Sequence, residues 1–300
     1  MTGAGALLVV GDVVTDVVAV HQEPLAPATD TAARIRTLPG GAGANAACWA
    51  ARTGAPEVRL LARVGAGSSA QWHERALLAA GVRPRLVVDA EEPTGTVVVL
   101  VGKDAERTFL TDSGAALRLC PADWTPSLLD GAAHLHLSGY LFFADSSREL
   151  ALVALRAARA RGVPVSVDPA SAGFLLTLGP RRFLDSVAGV GVLLPNEDEA
   201  LLLAGVPGDA GAARAAAELS RRVPLVVVTR GAGGALVAED GRVTAEVPAE
   251  PAEAVDSTGA GDAFTGGFLA ARLTGAGPAD AARAGCRAAA LAITRLGGRP

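Results

Sequence analysis

The segment 256–262 contains the residues of this chain best suited to chemistry on a phosphate. It reads Asp256-Ser257-Thr258-Gly259-Ala260-Gly261-Asp262. Its glycines stand where a loop is expected to become a helix, and glycine lets the backbone approach a ligand closely. The free N–H groups of a helix N-terminus favour an anion such as phosphate. Asp262 is either a base beside that anion or a first-turn acid that stabilises the helix.

A phosphate site here has to work without the lysine of a P-loop. Lys103 is the only lysine among the 27 basic residues, and it lies in Val-Gly-Lys-Asp rather than in a GxxxxGK[ST] motif. Backbone amides and Mg²⁺ can supply the charge neutralisation that phosphoryl transfer needs.

The composition excludes several classes of protein. The formal net charge of −4 argues against a basic nucleic-acid binder. Half of the residues are hydrophobic and 19% are charged, which excludes intrinsic disorder. No apolar run of the sequence approaches the roughly 18 residues of a membrane helix, and Leu7–Val10 lacks the basic flank of a signal peptide. The 3 cysteines are scattered, so a cytoplasmic protein is expected.

The fold that positions these residues is predicted from short apolar segments that alternate with alanine-rich helices. The predicted strands of this pattern are Ala6–Gly11, Val58–Val64, Ala133–Ser138, Val163–Val167, Val190–Leu194 and Leu225–Thr229. The predicted helices are Ala46–Thr53, Ser69–Ala80, Ser147–Arg161, Glu197–Ala204, Ala210–Arg221, Gly261–Leu273 and Ala279–Thr294. The alternation predicts an α/β fold with a central, mostly parallel sheet covered on both faces.

Two stretches interrupt this alternation and are predicted to form a small β-sheet. Residues 13–38 and 85–112 contain consecutive short strands, at Val13–Val20, Arg34–Leu38, Leu86–Val88, Thr96–Val101 and Thr108–Leu110. We expect them to pack as a lid on a main domain of residues 1–12, 39–84 and 113–300. The exposed edges of such a sheet favour pairing, so a homodimer through the lid is expected.

Four motifs in order resemble the ribokinase-like, PfkB-type carbohydrate kinase family. The 256–262 segment matches the D-x-T-G-A-G-D signature of that family in full. The other three are Gly40-Gly41-Ala42-Gly43-Ala44-Asn45-Ala46-Ala47 running on to Gly54, the N-x-x-E element at Asn196–Glu199, and the T-x-G-x-x-G element at Thr229–Gly234. The resemblance spans essentially the whole chain. It implies a three-layer α/β fold with a β lid, and transfer of the γ-phosphate of ATP to a hydroxyl of a small sugar or sugar derivative.

The resemblance also implies residue roles. Asp262 would take the proton from the acceptor hydroxyl, and the amides of Gly259, Ala260 and Gly261 would hold the transferred phosphoryl group. The residues implied for the sugar are Asp16, Gly40, Gly41 and Asn45, and those for the nucleotide are Asn196, Thr229, Gly231, Gly234, Gly259 and Gly261. Glu199 would act on Mg²⁺ indirectly. A monovalent cation, expected to be K⁺, would be bound by Asp256, Thr258, Ala292, Arg295 and Gly297.

Some of these residues also have purely structural explanations. Asn196 and Glu199 are three positions apart and could cap a helix. The glycines of Gly231–Gly234 could form a turn, and Asp16 alternates with apolar neighbours as an exposed strand residue does.

The sequence leaves two classes of acceptor open, a sugar and a nucleoside. Ribokinase-type members carry an acid in the segment matching 137–140 and a D-x-N-x-R element; here that acid is absent, and Asp168 is not followed by the Asn and Arg. These departures argue against ribose. The base of a nucleoside needs an aromatic platform, but only 4% of the residues are aromatic, so a sugar is favoured. Tyr140, Phe142 and Phe143, which follow a central strand, are the residues that could form such a platform. Arg107 is either a solvated charge or a donor for the carboxylate of an acidic sugar.

Three other interpretations remain. Residues 41–46 satisfy the G-x-G-x-x-A pattern of an NAD(P)-dependent dehydrogenase, but the next strand carries Arg59 and Arg63 where that fingerprint needs an acid. A sugar-binding regulator without catalysis is the second, and the intact Asp262 argues against it. His134 and His136 share a strand face, but with no third ligand nearby we expect packing rather than a metal site.

Overall fold

The computed structural model describes residues 5–103, 107–208 and 211–300. Its strands, numbered in chain order, are β1 (Ala6–Val10), β2 (Val14–His21), β3 (Ala33–Gly40), β4 (Val58–Gly65), β5 (Val82–Asp89), β6 (Thr94–Val101), β7 (Arg107–Gly114), β8 (Ala132–Ser138), β9 (Val165–Asp168), β10 (Val192–Leu193), β11 (Leu225–Thr229), β12 (Ala235–Glu239) and β13 (Arg242–Val247). Its α-helices are α1 (Ala42–Arg52), α2 (Ser68–Ala79), α3 (Asp145–Ala160), α4 (Ala172–Leu178), α5 (Pro180–Ser186), α6 (Glu197–Ala204), α7 (Gly211–Ser220), α8 (Ala260–Leu273) and α9 (Pro278–Ala292).

The main sheet has nine strands in the order β13-β12-β11-β10-β9-β8-β1-β4-β5. Seven strands of this sheet pair in parallel, in the order β11-β10-β9-β8-β1-β4-β5, and β12 and β13 are antiparallel at one edge. Leu8 and Val10 pack in the apolar cluster on the α3 side, whereas Leu7 and Val9 pack on the side of α1 and α8. Burial on both faces explains the unbroken apolar run of β1. The predicted α/β fold is confirmed.

The small sheet has four strands in the order β3-β2-β6-β7. Asp16 on β2 lies opposite Leu38 on β3 and Val97 on β6, so these three side chains share one face. The alternate residues form the opposite face, on which Ile35 and Leu110 are 64% and 58% exposed.

The sequence-based prediction is wrong for one strand. Leu86–Val88 was predicted in the small sheet, but it belongs to β5, which pairs in parallel with β4 over eight positions at the edge of the main sheet. Both sheets use short β-branched strands, so local pattern does not distinguish them. The small sheet draws its strands from 14–40 and 94–114.

Two groups of elements were missed by the sequence patterns. The hairpin β12–β13 turns at Asp240-Gly241, where both residues have positive φ (50° and 77°). Asp-Gly is a recognised signal for such a turn. Helices α4 and α5 are each only seven residues long.

Among the described residues, no helix has both the length and the apolar character needed to cross a membrane.

Candidate active site

A cavity of about 730 Å³ lies between the small sheet and the carboxyl ends of the central strands. Residues at or just beyond the ends of β1, β8, β9, β10 and β11 line it: Asp12, Tyr140, Asp168, Asn196 and Thr229. The small sheet contributes Val14, Asp16, Val97, Phe109, Thr111 and Ser113. Open α/β sheets bind ligands at this edge, so this cavity is the candidate active site.

Asp262 lies in the first turn of α8 and lines the cavity. Asn45 Nδ2 donates a hydrogen bond of 2.8 Å to Asp262 Oδ2, which orients the carboxylate. Burial raises the pKa of Asp262 well above its ordinary value; the Asn45 hydrogen bond opposes this, and Asp168, Asp12 and Asp16 add to it. A raised pKa makes the ionised carboxylate a stronger proton acceptor.

The glycine loop, residues 256–261, leads into α8. Gly259, the residue before this helix, has a φ of 73°, and a Cβ there would lie 2.5 Å from the Cα of Gly298. Gly261 lines the cavity, and a Cβ there would meet open space. The N-cap residue, Gly259, has no side chain that could bond the first turn of α8, and the Ala260 N–H donates to the Ser257 carbonyl (3.2 Å). The other N–H groups of this turn can bind an anion.

Helix α1 also begins beside the cavity, but a carboxylate already binds its N-terminus. Asp12 Oδ2 accepts a hydrogen bond from the Ala42 N–H (2.8 Å), and Asp12 Oδ1 accepts from the Gly43 N–H (3.1 Å) and from Ser138 Oγ (2.9 Å). A dinucleotide pyrophosphate would need these amides. The geometry therefore argues against the dehydrogenase interpretation.

Carboxylates are the charged groups of the cavity wall. Its described lining contains acidic residues and no Arg, Lys or His; the acids are Asp12, Asp16, Asp168, Glu199 and Asp262. Burial raises the pKa of Asp16 to about 7 and that of Asp168 to about 6. Such a wall suits neutral hydroxyls and cations, and among its described residues it offers an acidic acceptor no cationic side chain.

Asn196 and Glu199 form a capping box at the start of α6. Asn196 Oδ1 accepts from the Glu199 N–H (2.9 Å), and Glu199 Oε2 accepts from the Asn196 N–H (3.0 Å). Burial and Asp168 raise the pKa of Glu199 to about 8. The described residues contain no group of three His, Cys, Asp or Glu that could hold a metal ion. A Mg²⁺ here would fit only with most of its oxygen ligands taken from phosphate and water.

Of the residues expected at a monovalent cation, Thr258 and Gly297 contact the Asp256 carboxylate, and Ala292 and Arg295 lie at the end of α9 and in the turn that follows it. Thr258 N donates to Asp256 Oδ1 (2.9 Å), and Gly297 N donates to Asp256 Oδ2 (2.9 Å). The Ala292 carbonyl accepts from the Arg295 N–H in the turn that follows α9. Because both Asp256 oxygens bind backbone amides, the oxygens that fit a cation at this loop are chiefly backbone carbonyls.

The structure brings together most of the predicted site residues. Those that line the cavity are Asp16, Gly41, Asn45, Asn196, Glu199, Thr229, Thr258, Gly259, Ala260, Gly261 and Asp262. Gly40 does not line it but lies against the Asp16 carboxylate. Gly231 and Gly234 are also outside the lining; a Cβ at Gly234 would overlap the Val247 carbonyl, which gives that glycine a structural reason. The side chain of Arg107 lies outside the described residues.

Sequence reasoning gave no site role to Asp12 or Asp168. Each follows or ends a central strand, and an acid at the carboxyl end of a buried strand is the signal that could have identified both. An aromatic group was also missed: Phe174 on α4 stacks on Phe143 (5.1 Å between centroids) and meets Tyr140 edge-on (5.8 Å).

His134 and His136 do not form a metal site with other described residues. Both rings hydrogen-bond to Ser166 Oγ inside the core, at 2.8 and 2.9 Å. Burial lowers the pKa of both, to about 4 and about 3, so they pack as neutral rings.

Residues 5–300 match the family model described as pfkB family carbohydrate kinase. The chain is 32% identical to a fructokinase of Klebsiella pneumoniae over 275 residues, covering 89% of this chain and 84% of the relative. It is 30% identical to a ribokinase of Haemophilus influenzae over 262 residues, covering 86% and 82%. It is 29% identical to a cytidine kinase of Thermococcus kodakarensis over 264 residues, covering 87% and 90%.

Solved structures share the whole architecture. A putative ribokinase II of E. coli in complex with ATP and Mg²⁺ superposes with a TM-score of 0.85 at 25% identity, covering 98% of this chain and 94% of that one. The adenosine kinase of Sinorhizobium meliloti superposes with a TM-score of 0.90 at 23% identity, covering 99% and 96%. The second likeness supports the fold alone.

Proposed function

This chain belongs to the pfkB family of carbohydrate kinases, and we propose that it transfers the γ-phosphate of ATP to a hydroxyl of a small, neutral sugar or sugar derivative. One observation carries the proposal: Asp262 meets Asn45 at the open N-terminus of α8, in a cavity whose described lining is acidic and not basic. Because the described lining offers a carboxylate or phosphate on the acceptor no basic side chain, the acidic sugars are the less favoured acceptors.

In this proposal the chain positions the reactants and moves one proton. Asp262 accepts the proton of the attacking hydroxyl, and Asn45 keeps its carboxylate turned to the acceptor. The N–H groups at Gly259–Gly261 bind the oxygens of the transferred phosphoryl group. Asp16 accepts hydrogen bonds from further acceptor hydroxyls. ATP supplies the phosphoryl group, and Mg²⁺ neutralises its charge.

The nucleotide and metal contacts are assigned to the ends of β10 and β11. Asn196 and Thr229 pair with each other there, and both line the cavity. Glu199 would hold Mg²⁺ through water, because its Oε2 is already used in the capping box. Gly231 and Gly234 would shape the turn beside Thr229. A cytoplasmic location stays an expectation.

We assign the loop around Asp256 to a monovalent cation, K⁺ by preference. The support is geometric: Asp256 ties Thr258 of the glycine loop to Gly297 after α9. A cation bound there by the carbonyls of Ala292, Arg295 and Gly297 would fix the loop that presents the phosphate-binding amides.

We also infer a homodimer through the outer face of the small sheet, which is the face opposite Asp16. Ile35 and Leu110 are more than half exposed on that face, beside Val17, Val98 and Leu100. A contiguous apolar patch of this kind is typical of an interaction surface.

A nucleoside is the second candidate acceptor, and the aromatic wall favours it. Tyr140 and Phe174 line the cavity, and Phe109 of the small sheet lies on the same cavity and is 52% exposed. Aromatic faces of this kind can stack on a base, with about 1–3 kcal/mol per base. The similarity to a cytidine kinase is in keeping with this candidate.

An ATP-consumption screen over hexoses, pentoses, keto-deoxy sugar acids and nucleosides tests these assignments. We expect a neutral sugar to give the highest kcat/KM. A nucleoside better by an order of magnitude would establish the second candidate, and an acidic sugar as the best substrate would refute a neutral acceptor. ATP consumption that no acceptor stimulates would favour the non-catalytic regulator.

A further inference from the structure

The C-terminal segment, residues 297–299, runs directly behind the proposed acceptor and phosphate sites. Gly297 N bonds Asp256, and the Gly298 carbonyl accepts a hydrogen bond from Trp49 Nε1 at 2.8 Å. A Cβ on Gly298 would overlap the Asn45 amide, and the Gly298 backbone also lies against Gly259. The segment therefore contacts both the glycine loop and the helix that carries Asn45.

Arg299 extends this segment to the acceptor side. Its Nη2 donates a hydrogen bond of 2.8 Å to the carbonyl of Gly40, at the end of β3. A Cβ on Gly40 would overlap the Asp16 carboxylate, so Gly40 is in contact with Arg299 through its carbonyl and with the Asp16 carboxylate at its Cα. Arg299 Nε and Nη1 are buried and have no hydrogen-bond partner among the described residues. A buried cation with unused donors is costly, which points to a role beyond packing.

We propose that Arg299 is a positioning residue, which holds Asp16 and the end of β3 in the arrangement that binds the acceptor. The inference rests on the proposed kinase function. Arg299 is not among the described residues that line the cavity. It therefore acts through Gly40 and Asp16 and does not touch the acceptor itself.

The charges around Asp16 explain why a cation is needed behind it. Asp12 from the β1–β2 turn, Asp256 from the glycine loop and Asp262 from α8 all interact unfavourably with an ionised Asp16. Arg299 counters them at Asp16. Arg299 also interacts electrostatically with His73 of α2, a buried ring that is hydrogen-bonded to Thr15 on the strand that carries Asp16.

Steady-state kinetics of Arg299→Gln, with the acceptor identified by the screen, test the proposal. We expect the acceptor KM to rise about tenfold or more, while kcat and the ATP KM stay within about threefold. Arg299→Lys keeps the charge, so we expect an acceptor KM between those of the wild type and Arg299→Gln. Arg287→Gln, which removes an exposed arginine of α9, is the matched control and should leave all three constants unchanged.

A double-mutant cycle with Asp16→Asn distinguishes positioning from a general loss of structure. If Arg299 acts through Asp16, Arg299→Gln should change the acceptor KM less than about threefold in the Asp16→Asn background. The inference would be overturned if Arg299→Gln and Asp16→Asn raised the acceptor KM additively. It would also be overturned if both Arg299 variants raised the ATP KM as much as the acceptor KM. If the wild type phosphorylates an acceptor and Arg299→Gln keeps its KM, this inference alone fails. If the wild type phosphorylates no acceptor, the proposed function fails and takes the inference with it.

Discussion

At the scale of single residues, Asp262 differs from an ordinary first-turn acid in what surrounds it. Asp280 also lies in the first turn of a helix, α9, but it is 67% exposed and paired with Arg283. Asp262 is bonded to Asn45 and lies among carboxylates. Both carboxylates lie at a helix N-terminus, where the helix dipole stabilises a negative charge. Of the two, Asp262 is the one oriented by a hydrogen bond inside the cavity, as a proton acceptor has to be.

Asp262→Asn should therefore lower kcat about 10²–10⁴-fold, because the amide keeps the shape but cannot accept the proton. The ATP KM should change little. The measurement is steady-state kinetics beside Asp280→Asn, which we expect to leave kcat unchanged. A kcat near the wild-type value in Asp262→Asn would remove Asp262 from the role of base.

At the scale of elements, the glycine loop uses its two glycines for different reasons. Gly259 has a positive φ and packs against Gly298, whereas a Cβ at Gly261 meets open space. We expect Gly259→Ala to lower the melting temperature, since a non-glycine residue in that conformation costs roughly 1–2 kcal/mol before any overlap. Gly261→Ala should keep the wild-type melting temperature and still lose activity, because its Cβ would enter the space proposed for phosphate. Thermal unfolding and kcat of both variants check this; equal melting temperatures would contradict it.

The turn after α9 contacts the glycine loop at Asp256: the Asp256 N–H donates to the Ile293 carbonyl, and the Gly297 N–H donates to the Asp256 carboxylate. A cation bound between them should stabilise the loop, so we expect a higher kcat in K⁺ than in Na⁺, and the lowest in tetramethylammonium. The assay is run at constant ionic strength. Equal rates in the three salts would refute the cation assignment.

At the scale of the whole molecule, buried carboxylates should make the protein less stable as the pH rises. The pKa of Asp16 is raised from 3.8 to about 7, so the folded state binds more protons than the unfolded state, and stability falls until the pH passes the folded value. The buried His73, with a pKa lowered from 6.5 to about 4, has the opposite effect below pH 6.5 and none above it. We expect the free energy of unfolding of the metal-free protein to fall from pH 6.5 to about 8, where Glu199 also titrates.

Urea unfolding across this pH range, in the presence of a chelator, measures the effect. Asp16→Asn should make the pH dependence shallower, and the exposed-acid control Asp280→Asn should not. A stability that rises between pH 6.5 and about 8, or an unchanged slope in Asp16→Asn, would contradict the assignment of the buried charge.

A second prediction for the whole molecule concerns the outer face of the small sheet. Ile35→Glu should give a monomer in sedimentation at micromolar concentration, because burying a charge in the proposed interface is unfavourable. Leu176→Glu alters an equally exposed apolar residue on α4 (both are 64% exposed) and should leave the oligomeric state unchanged. A wild-type chain that sediments as a monomer would refute the dimer.

The fold class could be predicted from the sequence, because the alternation of apolar strands with helices follows from backbone periodicity. Glycines at a helix start favour a phosphate-binding loop at 256–262, but they leave Asp262 open between a base and a first-turn acid. The motifs at Asn45, Asn196 and Thr229 were recognised through the resemblance to the pfkB family, and the structure brings all three to one cavity.

Contacts between residues far apart in the chain could not be predicted from the sequence, because they depend on the tertiary structure. Asn45 and Asp262 are 217 positions apart, and Arg299 and Gly40 are 259 apart. Asp12 has no local feature that marks it as the cap of α1, and the pattern of β5 is the same in either sheet. Such contacts depend on how the layers pack, and since local propensity carries no information on packing, the acidic cavity and the segment behind it emerge only in the folded molecule.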